Sequence, residues 1–374
     1  MKENKRYLEL GLKLKNAREA LGFSTRYISS LLPKNLSISH VTLNNYEAGK
    51  HQVPIDILSA LADIYKRPIN WFLEKGPVLT GIHYRNKKSK IGIRELTQFE
   101  AIAQQWLGAY QRLDEEFNSN LRKRSFGITT NETGVQAATK VREYLKLEDN
   151  PVPSVVEVME EAGIRVIEMP IKLAIDAMAA SLGKEDVVVL NSNVPNDRSR
   201  MNAAHELGHV LFRDCIVAKQ ELNHNFLEKR AFEFASYFLL TKKMLRNAFY
   251  GKSMVRLVKF KEQYGISLAA MIYRAADENI LSKYEAKYLW IEFSKRGWRK
   301  EEPGYVKRDR ATRFEQKLEN AIHQKKLTWQ QLSKITGVRE DQLKQRLNQA
   351  IGKYVPVMSQ EKGDENIRYL RINN

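Results

Sequence analysis

Met201-Asn202-Ala203-Ala204-His205-Glu206-Leu207-Gly208-His209-Val210-Leu211-Phe212 is the stretch that decides how this chain folds and what it can do. Its pattern is helical, and residues four apart share a helix face, so His205 and His209 point the same way and can bind one Zn²⁺. Glu206, beside the first histidine, can reach a metal-bound water and take its proton as that water attacks a carbonyl. A pair of surface histidines on an ordinary helix is the plain alternative. The flanks argue against it: Ala203, Ala204, Leu207, Val210 and Leu211 make the helix nearly apolar around its three polar residues. Such a helix would bury unpaired polar groups unless something binds them.

Two histidines do not make a stable zinc site, so a third ligand is expected, with one position left open for water. Glu228 is favoured. It begins a second helix whose apolar stripe runs through Ala231, Phe232, Ala235, Phe238 and Leu239, and it falls on the side of Ala231 and Ala235. A solvated glutamate at a helix end is the bland reading. His224, at the polar start of that helix, is a rival, more naturally read as an exposed loop histidine. Cys215 sits six residues after His209, where another peptidase class has a ligand, but that class needs Gly at position 212 and this chain has Phe212.

Upstream of the metal helix, Asp176–Leu182 and Val187–Asn191 flank the turn-prone Gly183-Lys184-Glu185-Asp186, which predicts a hairpin, and Ile164–Glu168 reads as another strand. Val187, Val188, Val189 and Leu190 are expected to pair with an extended substrate peptide. Val135–Leu145 and Pro153–Ala162 read as helices, as does nearly everything from Asn196 onward. Arg94 to about Leu121 reads as one long amphipathic helix, and 77–92, with Arg85, Lys87, Lys88 and Lys90, as a charged linker.

The first 73 residues hold five short helical bursts. One runs through Leu10, Leu14 and Ala17 to Gly22. Ser24 and Ser39 can cap the second and third, and Pro54 and Pro68 open the fourth and fifth. The fold class is therefore mainly α with a small β-sheet.

The net charge of +18 is unevenly placed. Residues 1–90 and 295–353 each carry 16 Lys and Arg against 7 Asp and Glu, while 91–294 and the tail sum to zero. Basic ends around a neutral middle suggest modules that meet a polyanion, although basic residues can also merely solvate helix surfaces. No stretch approaches the roughly 18 uninterrupted apolar residues that span a bilayer, so no membrane partner is expected. The single cysteine forbids an internal disulfide and fits a reducing, cytoplasmic location.

The run Val187–Asn193, then Ala203-Ala204-His205-Glu206-Leu207-Gly208-His209, then Glu228-x-x-Ala231-x-x-Phe234-Ala235 and Leu239-Leu240 resembles the ImmA/IrrE family of metallopeptidases. The resemblance implies that Glu228 is the third zinc ligand, that the central domain is zincin-like α+β, and that the substrate is a transcriptional repressor. Phe232 stands where the family usually has Asn, and Thr241 where it usually has Pro. Neither is a ligand position. The first 75 residues are similar to Cro/repressor-like (XRE) helix-turn-helix domains, with Ser39 opening the recognition helix. That likeness implies that Thr25, His40, Thr42, Asn44 and Asn45 face bases of an operator-like duplex, with Ser39 at the helix start and Arg26 and Lys50 on phosphates. Ser267–Arg274 and Gly297-Trp298-Arg299 match a helical extension that follows this peptidase domain, and 312–350 reads as a second helix-turn-helix-like unit.

The expected domains are 1–76 for DNA binding, 77–125 for linker and long helix, 126–250 for the metallopeptidase, 251–357 for the helical extension and 358–374 for the tail. The expected function is site-specific cleavage of a repressor by a DNA-bound protein, with a homodimer left open. The alternative is a DNA-binding regulator or toxin–antitoxin component whose metal domain senses or binds a partner and rarely cuts.

Overall fold

The computed structural model describes residues 2–73, 79–86, 91–119, 124–215 and 224–354. The expected tail and linker residues 87–90 lie outside these. The N-terminal helices are α1 (Lys2–Ala20), α2 (Thr25–Leu31), α3 (His40–Glu47), α4 (Ile55–Ile64) and α5 (Ile69–Leu73), with a 3-10 turn at Lys34–Leu36. Ser24 and Ser39 cap α2 and α3 as their sequence positions suggest, accepting from the backbone N–H of Tyr27 and Thr42. Leu14, Ala17, Ile28, Leu43, Leu58 and Leu61 make the core. The Arg18 guanidinium grips Glu47 with two bonds, at 2.6 and 2.7 Å, and so fixes α1 against α3.

After β1 (Leu79–Asn86) come α6 (Ile93–Glu116), α7 (Gly134–Tyr144), α8 (Val155–Glu161), β2 (Arg165–Met169), β3 (Ile175–Leu182), β4 (Glu185–Asn191), α9 (Asn196–Leu211) and α10 (His224–Leu239). Seven more helices complete the described chain: α11 (Lys242–Phe249), α12 (Met254–Tyr264), α13 (Leu268–Asp277), α14 (Lys283–Lys295), α15 (Arg313–His323), α16 (Trp329–Thr336) and α17 (Glu340–Tyr354). The chain is mainly helical around a four-stranded mixed sheet of order β1-β3-β4-β2, in which only the β2–β4 pair is parallel. Among the described residues, no helix is long and apolar enough to cross a membrane.

Both faces of the sheet are covered. Val166, Ala177, Ala179, Val188 and Leu190 face α7 to α10, while Ile167, Met178, Ala180, Val187 and Val189 face α6 and the last three helices. Strand alternation with two buried faces explains why Val187–Leu190 is apolar without interruption.

Two expectations are corrected here. Val187, Val188, Val189 and Leu190 cannot receive a substrate strand, because β4 is hydrogen-bonded on one side to β3 and on the other to β2. The segment read as charged linker holds β1, which pairs with β3 through a bulged register and forms the edge of the sheet. Gly81 lets it close in. Its φ is +57°, and a Cβ there would overlap the Cys215 carbonyl.

Between α14 and α15 the chain returns across the start of α9. Asp309 accepts from Arg200 at 2.6 Å and from the Val155 N–H at 2.7 Å, and Arg308 donates to the carbonyls of Asn191 and Val194. Arg200 and Asp309 are both buried. Removing one partner strands a charge in low dielectric, so Asp309→Ala should cost about 3–5 kcal/mol in urea unfolding at neutral pH. Arg200→Met with Asp309→Leu should recover most of that. A single-mutant cost below about 1 kcal/mol would show that the crossing does not hold α9.

Candidate metal centre

Asn196 to Leu211 form α9 with Pro195 ahead of the first turn and Asp197 inside it, both favourable at a helix start. Ala203, Ala204 and Leu207 are fully buried against the sheet and α10, and they carry His205, Glu206 and His209 into the interior with them. Gly208 sets the distance to α10. A Cβ there would stand 3.2 Å from both the Ala231 Cα and the Phe234 ring, so any larger residue would push the helices apart. This close approach puts Glu228 opposite the two histidines.

His205 Nε2 and His209 Nε2 are 3.1 Å apart, and each lies within 3.3 Å of a Glu228 carboxylate oxygen. Donors about 2.0–2.1 Å from a tetrahedral cation are separated by about 3.3 Å, so this triangle has the edge length of such a site. The electrostatics agree. Burial lowers His205 to about 3 and keeps it neutral. Burial also works against a charge on His209, but Asp214 and Glu228 outweigh it and raise that imidazole to about 9. Burial would raise Glu228, yet the two imidazoles hold its carboxyl below the usual carboxylate range. Asp214 and Glu228 therefore favour one positive charge within the cluster, as the donors of a cation site would.

His209 Nδ1 meets Asp214 Oδ2 at 2.8 Å, and Asp214 Oδ1 accepts from Arg230 at 2.8 Å. A carboxylate behind a ligating histidine fixes its tautomer and turns the other nitrogen toward the metal. Glu206 is fully buried, no side chain bonds either of its oxygens, and the Ala179 backbone N–H faces its carboxyl. Burial pushes its carboxyl up to about 7, with His209 and Arg85 opposing.

β1 closes the remaining side. His83 stacks on His209 with ring centroids 4.9 Å apart and bonds the Asp214 carbonyl at 3.1 Å. Donor atoms of His83, His209 and Glu228 lie within 4.8 Å of one another. Arg85 Nη1 is 3.0 and 3.3 Å from the two ring nitrogens of His205. Imidazole lone pairs diverge, so an atom near both nitrogens lies over the ring rather than on either lone pair.

Of the residues singled out in the sequence, His205, His209, Glu206 and Glu228 come together. His224 is exposed at the start of α10, and Cys215 is buried outside the donor triangle, its thiol pushed up by burial. Asp214, His83 and Arg85 were missed; Asp214 falls in the turn after α9, and the other two in the segment read as linker. In the N-terminal helices Arg26, Ser39, Asn44 and Lys50 are exposed, while Thr25, His40, Thr42 and Asn45 are half-buried. The Ser39 hydroxyl is engaged by its cap and by the Thr42 hydroxyl at 2.9 Å.

Residues 159–276 match the model of the Peptidase_M78 family, described as the IrrE N-terminal-like domain. The match supports the ImmA/IrrE resemblance and points to a metallopeptidase-like domain with a metal. It runs from the end of α8 through the whole α9–α10 cluster to α13. No curated protein matches the chain.

Two outcomes follow for this M78-like centre. Asp214→Ala should lower metal affinity about 10–100-fold, read by competition with a chromophoric chelator; unchanged affinity would remove Asp214 from the site. Glu206 binds its proton more tightly folded than unfolded, so it makes the metal-free protein less stable as pH rises from 4.5 toward about 7. Glu206→Gln should remove that slope, stabilising the metal-free chain at pH 8 by up to about 3 kcal/mol. Parallel pH profiles for the two proteins would refute it.

Proposed function

We propose that this chain is a DNA-binding, zinc-dependent endopeptidase that regulates transcription by cleaving a repressor protein. The observation that carries the enzymatic half is the His205–His209–Glu228 triangle beside a buried Glu206 that has no side-chain partner. His205, His209 and Glu228 hold the metal, as in gluzincins. Zinc, when bound there, supplies a Lewis acid and lowers the pKa of water toward neutrality. Glu206, poised near 7, takes the proton of the attacking water and returns it to the leaving amine.

β1 takes the part expected of residues 187–190. It pairs only with β3 among the described residues, so its outer edge offers backbone groups to an extended peptide. Arg85 on the same strand carries a fixed charge to the ligand histidines and stabilises negative charge developing on the carbonyl oxygen.

The DNA-binding half rests on the likeness of α2 and α3 to a helix-turn-helix. Asn44 of α3, Arg26 and Lys50 are exposed, which leaves Asn44 free for base edges and the two cations for phosphates in the proposed complex. The repressor as substrate comes from the family resemblance.

Zinc-loaded wild type incubated with proteome-derived peptides should cut at defined sites, and Glu206→Gln should be about 10²–10⁴-fold slower. Equal rates would end the mechanism. On a duplex selected from random sequence, Asn44→Ala should cost about 1–3 kcal/mol of binding. Selection of a duplex with no peptide cut by wild type would instead favour the regulator whose metal domain acts as a sensor.

A further inference from the structure

A cavity of about 990 Å³ opens one helical turn from the metal ligands, between the first half of α9 and the helices that follow the peptidase-like core. Met201, four residues before His205 and on its face, lies in the cavity wall beside Asn202. Arg85 belongs to both places: it lines the cavity and lies against His205. The far wall holds Ala270 of α13, Trp290 of α14, and Trp298.

The chemistry of the walls selects an occupant. Arg198 pairs with Asp176, and Lys261 with both Asp197 and Glu302, so these charges are neutralised within the wall. The apolar part of the wall includes Met201, Ala270, Trp290 and Trp298, with the Arg299 guanidinium lying over the Trp290 ring at 5.3 Å. Asn202 is 2% exposed; its Oδ1 accepts from Arg85 at 3.1 Å, and its Nδ2 has no partner. A buried amide donor left unpaired costs about 1–3 kcal/mol, and a peptide carbonyl entering the cavity would satisfy it.

We propose that this cavity is the specificity site for a peptide substrate. It takes a large aromatic or aliphatic side chain next to the bond being cut, while Asn202 Nδ2 donates to the backbone carbonyl of that residue. The proposal rests on the peptidase reading, and two measurements separate their failures.

The first uses N-acetyl-4-fluorophenylalaninamide as probe with the full zinc-loaded chain, followed by fluorine NMR. Saturable line broadening is expected with wild type and with Thr139→Trp on a distant surface, and its loss with Ala270→Trp, which fills the cavity. Ala269→Trp, on the same wall, serves if Ala270→Trp lowers the unfolding temperature. The second is the cleavage profile on proteome-derived peptides. Wild type should prefer large apolar residues at one position beside the cut, and the filled variant should shift that preference toward small residues by about tenfold or more. No broadening with wild type, or broadening and profile unchanged in the filled variants, overturns the cavity while the peptidase reading stands. Probe binding without any peptide cleavage overturns the peptidase reading and, with it, the cavity as a substrate site.

Discussion

An apolar helix that buries two imidazoles and a carboxylate must have those groups compensated, and the arrangement around α9 follows from that requirement. Gly208 lets α10 approach until Glu228 faces both histidines. Asp214, in the turn that ends α9, returns to hold His209, and Arg230 on α10 holds Asp214 in turn. The strap through Arg308 and Asp309 fixes the other end of the helix to the sheet. Glu206, among the described residues of this cluster, is left with no side-chain partner for either oxygen. A buried carboxylate in that state is costly, and burial answers by raising its pKa to about 7.

The parts of this site that were legible in the sequence are those fixed by local periodicity. Four-residue spacing puts His205 and His209 on one face, and the apolar stripe of α10 turns Glu228 the same way. β1 is different in kind. Leu79–Asn86 includes Gly81, His83 and Arg85 and leads into Lys87 and Lys88, so its local signal is that of a polar connector. It is a strand because β3 offers it an edge, and that pairing spans about a hundred residues of sequence. His83 and Arg85 were invisible for the same reason. The misplacement of β4 had an available remedy: an apolar run without alternation is the mark of a strand covered on both faces, not of an edge.

At the C-terminal end, part of the positive charge turns inward. Of its basic residues, Arg308 pairs with Glu168, Lys317 with Asp114 and Arg346 with Glu315, all of these acids buried. Those three cations are complementary to the protein's own interior, while Arg296, Arg299, Lys300, Lys325, Lys326 and Lys334 are exposed. Arg26 and Lys50 are likewise exposed. Both ends thus present cations to solvent, and the C-terminal end also sets some against buried acids.

α6 joins these regions. Near its start, Arg94 and Gln98 donate to the Gly22 and Ala20 carbonyls at the end of α1. Further along, Leu107 and Tyr110 lie under the sheet face formed by Ile167, Val187 and Val189. Arg112 then donates to the Thr336 carbonyl, and the neighbouring Gly337, at φ +65°, leaves room for the Trp71 ring of α5. The N-terminal helices and the last three helices therefore meet on the face of the sheet opposite the His205–His209–Glu228 cluster. A packed sheet transmits displacement rather than absorbing it. Any movement of the N-terminal helices that shifts α6 must be accommodated by β2 and β4, whose other face carries the residues that hold α9.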